Sequence, residues 1–153
     1  MNTLMRASAR RTLLGVVTLI LVLAAQGVAS APAPPNPILY FLGAQAETIG
    51  GKQIMRYYYD VANKDAYPND MFAASPDLPP CGSNTKAART WVDIYDQNGK
   101  RLNGFCAFGK SSDLGKIWFG LDINVVPPSY VYIELNDRKT NTKYKSNLAD
   151  TTL

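Results

Sequence analysis

The chain contains no histidine, so the commonest general base, proton shuttle and imidazole metal ligand is missing. Its two cysteines are Cys81 and Cys106, and with no histidine beside them neither has a ready base to make it a catalytic thiolate. Carboxylate pairs remain, Asp93 with Asp96 and Glu134 with Asp122, but acid–base work by two carboxylates needs a cleft that holds them in different environments. No glycine-rich phosphate loop and no nucleophile elbow occurs. Asp96-x-Asn98-Gly99 offers oxygen atoms at alternate positions, as calcium loops do. Lys100 and Arg101 follow where further acids would be needed, and an Asn-Gly hairpin turn accounts for the pattern. The sequence therefore predicts no enzyme, no metal and no cofactor; a small carboxylate-dependent hydrolase is the least favoured alternative.

The aromatic residues offer a different chemistry. With Ile117, Phe119 and Leu121 facing a core, Trp118 points outward; with Val131, Ile133 and Leu135 facing it, Tyr130 and Tyr132 point outward. Together with Tyr58 these four make a candidate contact face, because Tyr and Trp combine large rigid area with a polar tip. A corner role for Tyr132 and a covering loop for Trp118 are the structural alternatives. Arg138, Lys139, Lys143 and Lys145 cluster near the last strands, either to meet an acidic polymer or to guard an edge strand.

The address is written at the start. Arg6, Arg10 and Arg11 precede an apolar run from Leu13 to Ala25, and Val28 and Ser30 suit the small positions before a cut at Ala31. That run is shorter than the roughly 20 residues that span a bilayer, which favours a cleaved signal peptide (1–30) over an anchor. No cysteine lies near the cut for lipid attachment. Three arginines leave with the signal, so the formal charge falls from +4 to +1, and nothing in the mature chain marks a nucleic-acid partner. The expected location is the periplasm or the exterior. Two cysteines in an exported chain read as one disulfide, Cys81–Cys106. Closing a loop of about 26 residues would stabilise the fold by roughly 3.5 kcal/mol on the chain-entropy estimate.

The elements that must position these residues are strands. Ala31–Pro37 is a proline-rich spacer, 38–148 the folded domain and 149–153 a short tail. Strands are expected from Ile38 toward Ile49, over Ile54–Asn63, Met71–Ala74, Thr90–Tyr95, Leu102–Phe108, Lys116–Asp122, Val131–Leu135 and Thr142–Ser146. Gly50-Gly51 and Asn98-Gly99 mark turns between them. A two-residue turn at Asn98-Gly99 sets Gln97 opposite Lys100, Trp91 opposite Cys106 and Val92 opposite Phe105. No stretch of the mature chain keeps a helical period over ten residues. The pattern predicts an all-β, antiparallel two-sheet sandwich of about seven strands.

Val126-x-Pro128-x-x-x-Tyr132 resembles the approach to the sixth strand of fibronectin type III domains, and Ile38–Leu148 fits the strand count of immunoglobulin-like or fibronectin type III-like sandwiches. Leu78–Phe108 resembles small exported bacterial proteins, a likeness that implies no activity. The function expected is binding, to an envelope protein or a glycan, through the aromatic face or an edge strand. The alternative is an inhibitor that presents the loop Ser75–Asn84 to a hydrolase, stiffened by its prolines and Cys81.

Overall fold

The computed structural model describes residues 32–80, 87–107 and 109–152; residues 1–30, where a signal segment is expected, and Cys81 lie outside them. The described elements belong to one unit, Ala33–Leu153. They are β1 (Leu39–Ile49), β2 (Lys52–Val61), β3 (Thr90–Asp96), β4 (Arg101–Ala107), β5 (Ile117–Asp122), β6 (Tyr130–Asp137), β7 (Thr142–Lys145) and β8 (Ala149–Asp150), with no α-helix. All pairings are antiparallel, in one sheet ordered β1-β2-β5 and a second ordered β4-β3-β6-β7, with β8 also on β6.

Strand alternation places the core. Tyr57, Tyr59 and Val61 of β2 and Ile117 and Phe119 of β5 are buried from one sheet; Val92, Ile94, Val131, Ile133 and Leu135 are buried from the other, in a single apolar cluster. Tyr57 stacks on Phe119 at 4.9 Å and Phe41 leans on Tyr59 at 5.3 Å. Each such aromatic contributes about 1.5–3 kcal/mol by leaving water.

Two asparagine side chains join the sheets at their open sides. Asn103 Nδ2 of β4 donates to the Trp118 carbonyl of β5 at 2.8 Å. On the opposite side, Asn147 Oδ1 accepts from Leu39 N–H at 2.8 Å and Asn147 Nδ2 donates to the Leu39 carbonyl at 3.0 Å.

The turns follow their residues. Gly50 (φ 57°) and Gly51 (φ 78°) form a two-residue hairpin closed by Ile49 opposite Lys52. The β3–β4 turn departs from expectation. Asp96 N–H donates to the Lys100 carbonyl at 2.9 Å, so the loop is the three residues Gln97–Gly99 rather than two. Asp96 Oδ1 accepts the Asn98 and Lys100 amides, each at 2.9 Å, which gives the calcium-like pattern a turn-forming role. The extra residue shifts the register to Tyr95 opposite Arg101, and a bulge at Leu102 then restores Trp91 opposite Cys106 and Val92 opposite Phe105.

Other expectations are corrected. Met71 and Phe72 are buried in a 3-10 turn, Asn69–Phe72, not in a strand; only Ala74 pairs, as an isolated bridge to Ala88. Residues 149–152 of the tail are fastened: β8 pairs with the start of β6, and Thr151 is buried with its hydroxyl on the Pro128 carbonyl. Among the described residues there are eight strands in two antiparallel sheets. The spacer is fastened as well, since Tyr67 Oη donates to the Pro35 carbonyl at 2.7 Å and Asn63 Nδ2 to the Asn36 carbonyl at 2.9 Å.

Candidate functional site

The four expected aromatic residues divide between the sheets. Tyr58 and Trp118 are direct cross-strand partners on the outer face of β1-β2-β5. Tyr130 and Tyr132 belong to β6 in the other sheet, so no single face carries all four. Tyr132 is buried at 8 % exposure, stacked on Tyr95 at 5.2 Å with Lys145 Nζ 3.9 Å from its ring centre. That leaves it supporting its own sheet. Tyr130 is 44 % exposed at the end of the molecule.

The outer face of β1-β2-β5 is an aromatic row with charged groups laid against it. Arg56 places its guanidinium 4.2 Å from the centre of the Trp118 ring, a cation–π contact, and pairs with Glu47 at 3.1 Å. Tyr58 Oη donates to the same Glu47 at 2.6 Å. Further along, Tyr40 Oη donates to Asp60 at 3.0 Å, and Lys64 Nζ reaches that carboxylate at 2.8 Å. Burial pushes the Asp60 carboxyl up, but the bonds from Lys64, Tyr40 and the Val61 amide outweigh it and hold the group below its ordinary value. Hydrogen bonding to Asp60 raises the Tyr40 phenol. These side chains hold one another in place across the face.

Beside Trp118 the surface dips. Along the seam joined by Asn103 and the Trp118 carbonyl, a trough of about 390 Å³ is lined by Phe105, Cys106, Ala107, Asp113, Lys116 and Trp118. Its walls are mostly apolar, with one carboxylate and one ammonium paired at 3.2 Å. Gly120, two residues on from Trp118, carries no side chain to rise over the indole, which approaches within 3.8 Å of where a Cβ would stand. Trp118 thus belongs both to the aromatic row and to the trough.

Tyr40, Glu47 and Arg56, and the trough residues Phe105, Asp113 and Lys116, were not singled out by the sequence. The alternation Leu39, Tyr40, Phe41 contained the signal for Tyr40. Glu47 was hidden by a bulge: the β1–β2 register slips one residue between Phe41 and Gly43, and this moves Glu47 to the outer face.

The other expected charges have structural partners. Asp93 Oδ1 accepts from Trp91 Nε1 at 2.8 Å and Arg101 Nε at 2.6 Å, and its other oxygen from Asn136 at 3.2 Å. Glu134 lies directly opposite Asp93 and pairs with Lys143 at 3.3 Å, while Asp122 is in the other sheet. Asp122 Oδ1 accepts the Asn124 amide at 3.1 Å. Of the basic cluster, Arg138 donates to the Ala88 and Pro79 carbonyls at 2.9 and 2.7 Å, and Lys143 and Lys145 are engaged as described. The Arg138 bond fastens the described part of the loop that would face a hydrolase; its remainder, with Cys81, lies outside the described residues. Among the described residues no three His, Cys, Asp or Glu side chains gather to hold a metal, and no helix is long and apolar enough to cross a membrane. Comparison with protein-family models, curated proteins and solved structures returned no match for this chain.

Proposed function

We propose that the mature chain is an exported, non-enzymatic binding module that holds an envelope glycan against Trp118. The observation that carries this is the double position of Trp118, at the end of the Tyr58–Arg56–Glu47 row and in the wall of the seam trough. An indole face accepts the apolar side of a sugar ring, while Asp113, Lys116 and Arg56 supply the donors and acceptors that hydroxyls need. The ion pairs on this face leave little dry area for a broad protein contact.

In this proposal the two sheets stack as an immunoglobulin-like or fibronectin type III-like sandwich. The common apolar cluster supports it, as do the orders β1-β2-β5 and β4-β3-β6-β7 and the passage of Val126-x-Pro128-x-x-x-Tyr132 into β6, the sixth strand. Residues 1–30 act as a cleaved signal, and Cys81 and Cys106 form a disulfide beside the trough; no described cysteine is free.

The test is retention of the mature protein on purified envelope polysaccharide, with quenching of tryptophan fluorescence by its soluble fragments. Trp118→Ala should lose binding by at least about ten-fold, worth about 1.4 kcal/mol, while Trp91→Ala on the other sheet keeps it. Equal retention of Trp118→Ala and the parent would overturn the glycan site.

A second reading rests on β1, an edge strand whose Leu42 and Ile49 are 50 % and 46 % exposed. A partner's extended segment could pair with it. Capture of a protein that survives Trp118→Ala but is lost when Ala46 becomes proline would select that mode.

A further inference from the structure

β1 is an edge of its sheet, and the fold closes one end of that edge. At Leu39 the outward N–H and carbonyl are both taken by the Asn147 side chain, at 2.8 and 3.0 Å. Past the bulge the strand runs regularly from Gly43, opposite Tyr58, to Ile49, opposite Lys52. Ile49 and Lys52 flank a two-residue turn and so exchange their bonds with each other. Alternation back from Ile49 then aims the N–H and carbonyl of Thr48, Ala46 and Ala44 away from β2, and no group among the described residues caps them. The side chains leave this stretch equally open, since Ala44, Gln45, Ala46, Thr48 and Ile49 are all exposed. Other edges are guarded: β7 carries Lys143 and Lys145, β4 begins at Arg101, and β5 is tied to β4 through Asn103. β1 has no lysine, arginine or proline.

We infer that β1 pairs antiparallel with β1 of a second copy of this chain, about a two-fold axis at Ala46. Ala46 is the midpoint of the regular segment Gly43–Ile49, so this register alone pairs the whole segment with itself. Ala46 then lies opposite Ala46 of the second copy and Ala44 opposite Thr48, and these are the residues whose backbone faces outward. On the outer face, Gly43 lies opposite Ile49 and Gln45 opposite Glu47.

Both outer pairings are complementary. Gly43 has open space where a Cβ would stand, and it lines a hollow of about 400 Å³ with Leu42, Ala44, Gln45 and Tyr58. Ile49, 46 % exposed, enters that hollow from the other copy, and symmetry makes the exchange reciprocal. Charge agrees. Glu47 is the one charged residue of β1, and each Glu47 meets a Gln45 amide with Arg56 next in the same row. Moving the axis one residue toward the turn would set the two carboxylates face to face. The joined sheet is ordered β5-β2-β1-β1-β2-β5 and carries both Trp118 rows on one face, the two β5 strands roughly 24 Å apart across it. If the glycan reading holds, a polymer that reaches both sites is held more tightly than by one. The pairing itself does not rest on that reading.

The experiment is sedimentation of the oxidised mature protein over a concentration series, without glycan. Twice the mass of the chain is expected as concentration rises. Trp118→Ala should dimerise as the parent does, which keeps this surface distinct from the glycan site. Ala46→Pro removes the central N–H from both copies and should weaken dimerisation by roughly 30-fold or more, while Tm reports that the edge strand has kept its fold. Ile49→Ser should weaken it too with little change in Tm, since the side chain is already half exposed. Cross-linking reads the register. The two copies of residue 46 stand about 5.5 Å apart, Cα to Cα, so Ala46→Cys should give a covalent dimer on oxidation. Thr48→Cys should not, because its two copies are displaced by about 14 Å along the strands. A chain that stays monomeric at every concentration, an Ile49→Ser protein that dimerises unchanged, or equal cross-linking at both positions would each overturn the inference. A monomer that captures the strand of another protein would overturn it as well.

Discussion

Asp137 is the one buried carboxylate among the described residues, 2 % exposed, and Arg89 meets it with two parallel bonds of 2.9 and 2.7 Å. The same guanidinium reaches Asp70 at 2.8 Å, and Thr90 bonds the Met71 carbonyl, so this pair fastens the 3-10 turn at Asn69–Phe72 onto β3 and β6. Burial pushes the Asp137 carboxyl up, but Arg89, Thr140 and the Lys139 amide outweigh it and leave the group below its ordinary value. A carboxyl depressed by folding contributes stability that is complete above its unfolded value of about 3.9 and lost as pH falls through its folded value. Urea unfolding of the parent should therefore weaken below about pH 4, and Asp137→Ala should flatten that acid limb. At neutral pH the same variant should cost about 3–5 kcal/mol, because it leaves Arg89 short of its main partner. Asn147→Ala, which removes two bonds to the Leu39 backbone, should cost about 1–3 kcal/mol by the same measurement.

At the scale of elements, the strands were readable because their side chains alternate: β2, β5 and the inner face of β6 bury the residues that period two selects. What period two cannot show is a single extra residue. The bulge at Leu42 moves Glu47 outward to Tyr58 and Arg56, and the bulge at Leu102 moves Arg101 outward to Asp93. Each re-aims one charged side chain onto a face where strict alternation would not place it. The division of the four aromatic residues was equally hidden, since no local pattern states which sheet a strand joins. Deleting Leu42 should leave Glu47 on Tyr58 and Arg56, because without the extra residue the strand alternates regularly from Phe41 to Glu47, and the Trp118 emission should match the parent's. Gly104 carries a related constraint. A Cβ there would lie 1.9 Å from an Arg101 nitrogen and 2.4 Å from Asp93 Oδ1, so Gly104→Ala should expel the guanidinium and lower stability by about 1–3 kcal/mol.

At the scale of the whole molecule, the glycan contact proposed is Trp118 with the trough along the seam that Asn103 closes. If the disulfide forms as proposed, replacing Cys81 and Cys106 by serine should lower stability by about 3.5 kcal/mol, read as the shift between oxidised parent and variant in urea. The seam that Asn103 closes has a further consequence, because Asn103 is followed by Gly104, the pair most prone to spontaneous deamidation. Attack of the Gly104 nitrogen on the side-chain carbonyl releases ammonia, and hydrolysis of the ring leaves an acid where the amide stood. The Trp118 carbonyl would then face an oxygen with no proton to give. Asn98-Gly99, exposed in its turn, should react sooner, but that turn is held through Asp96 and tolerates the change. Protein aged at alkaline pH should accordingly lose Tm only as Asn103 converts, so the seam would keep a record of the molecule's age.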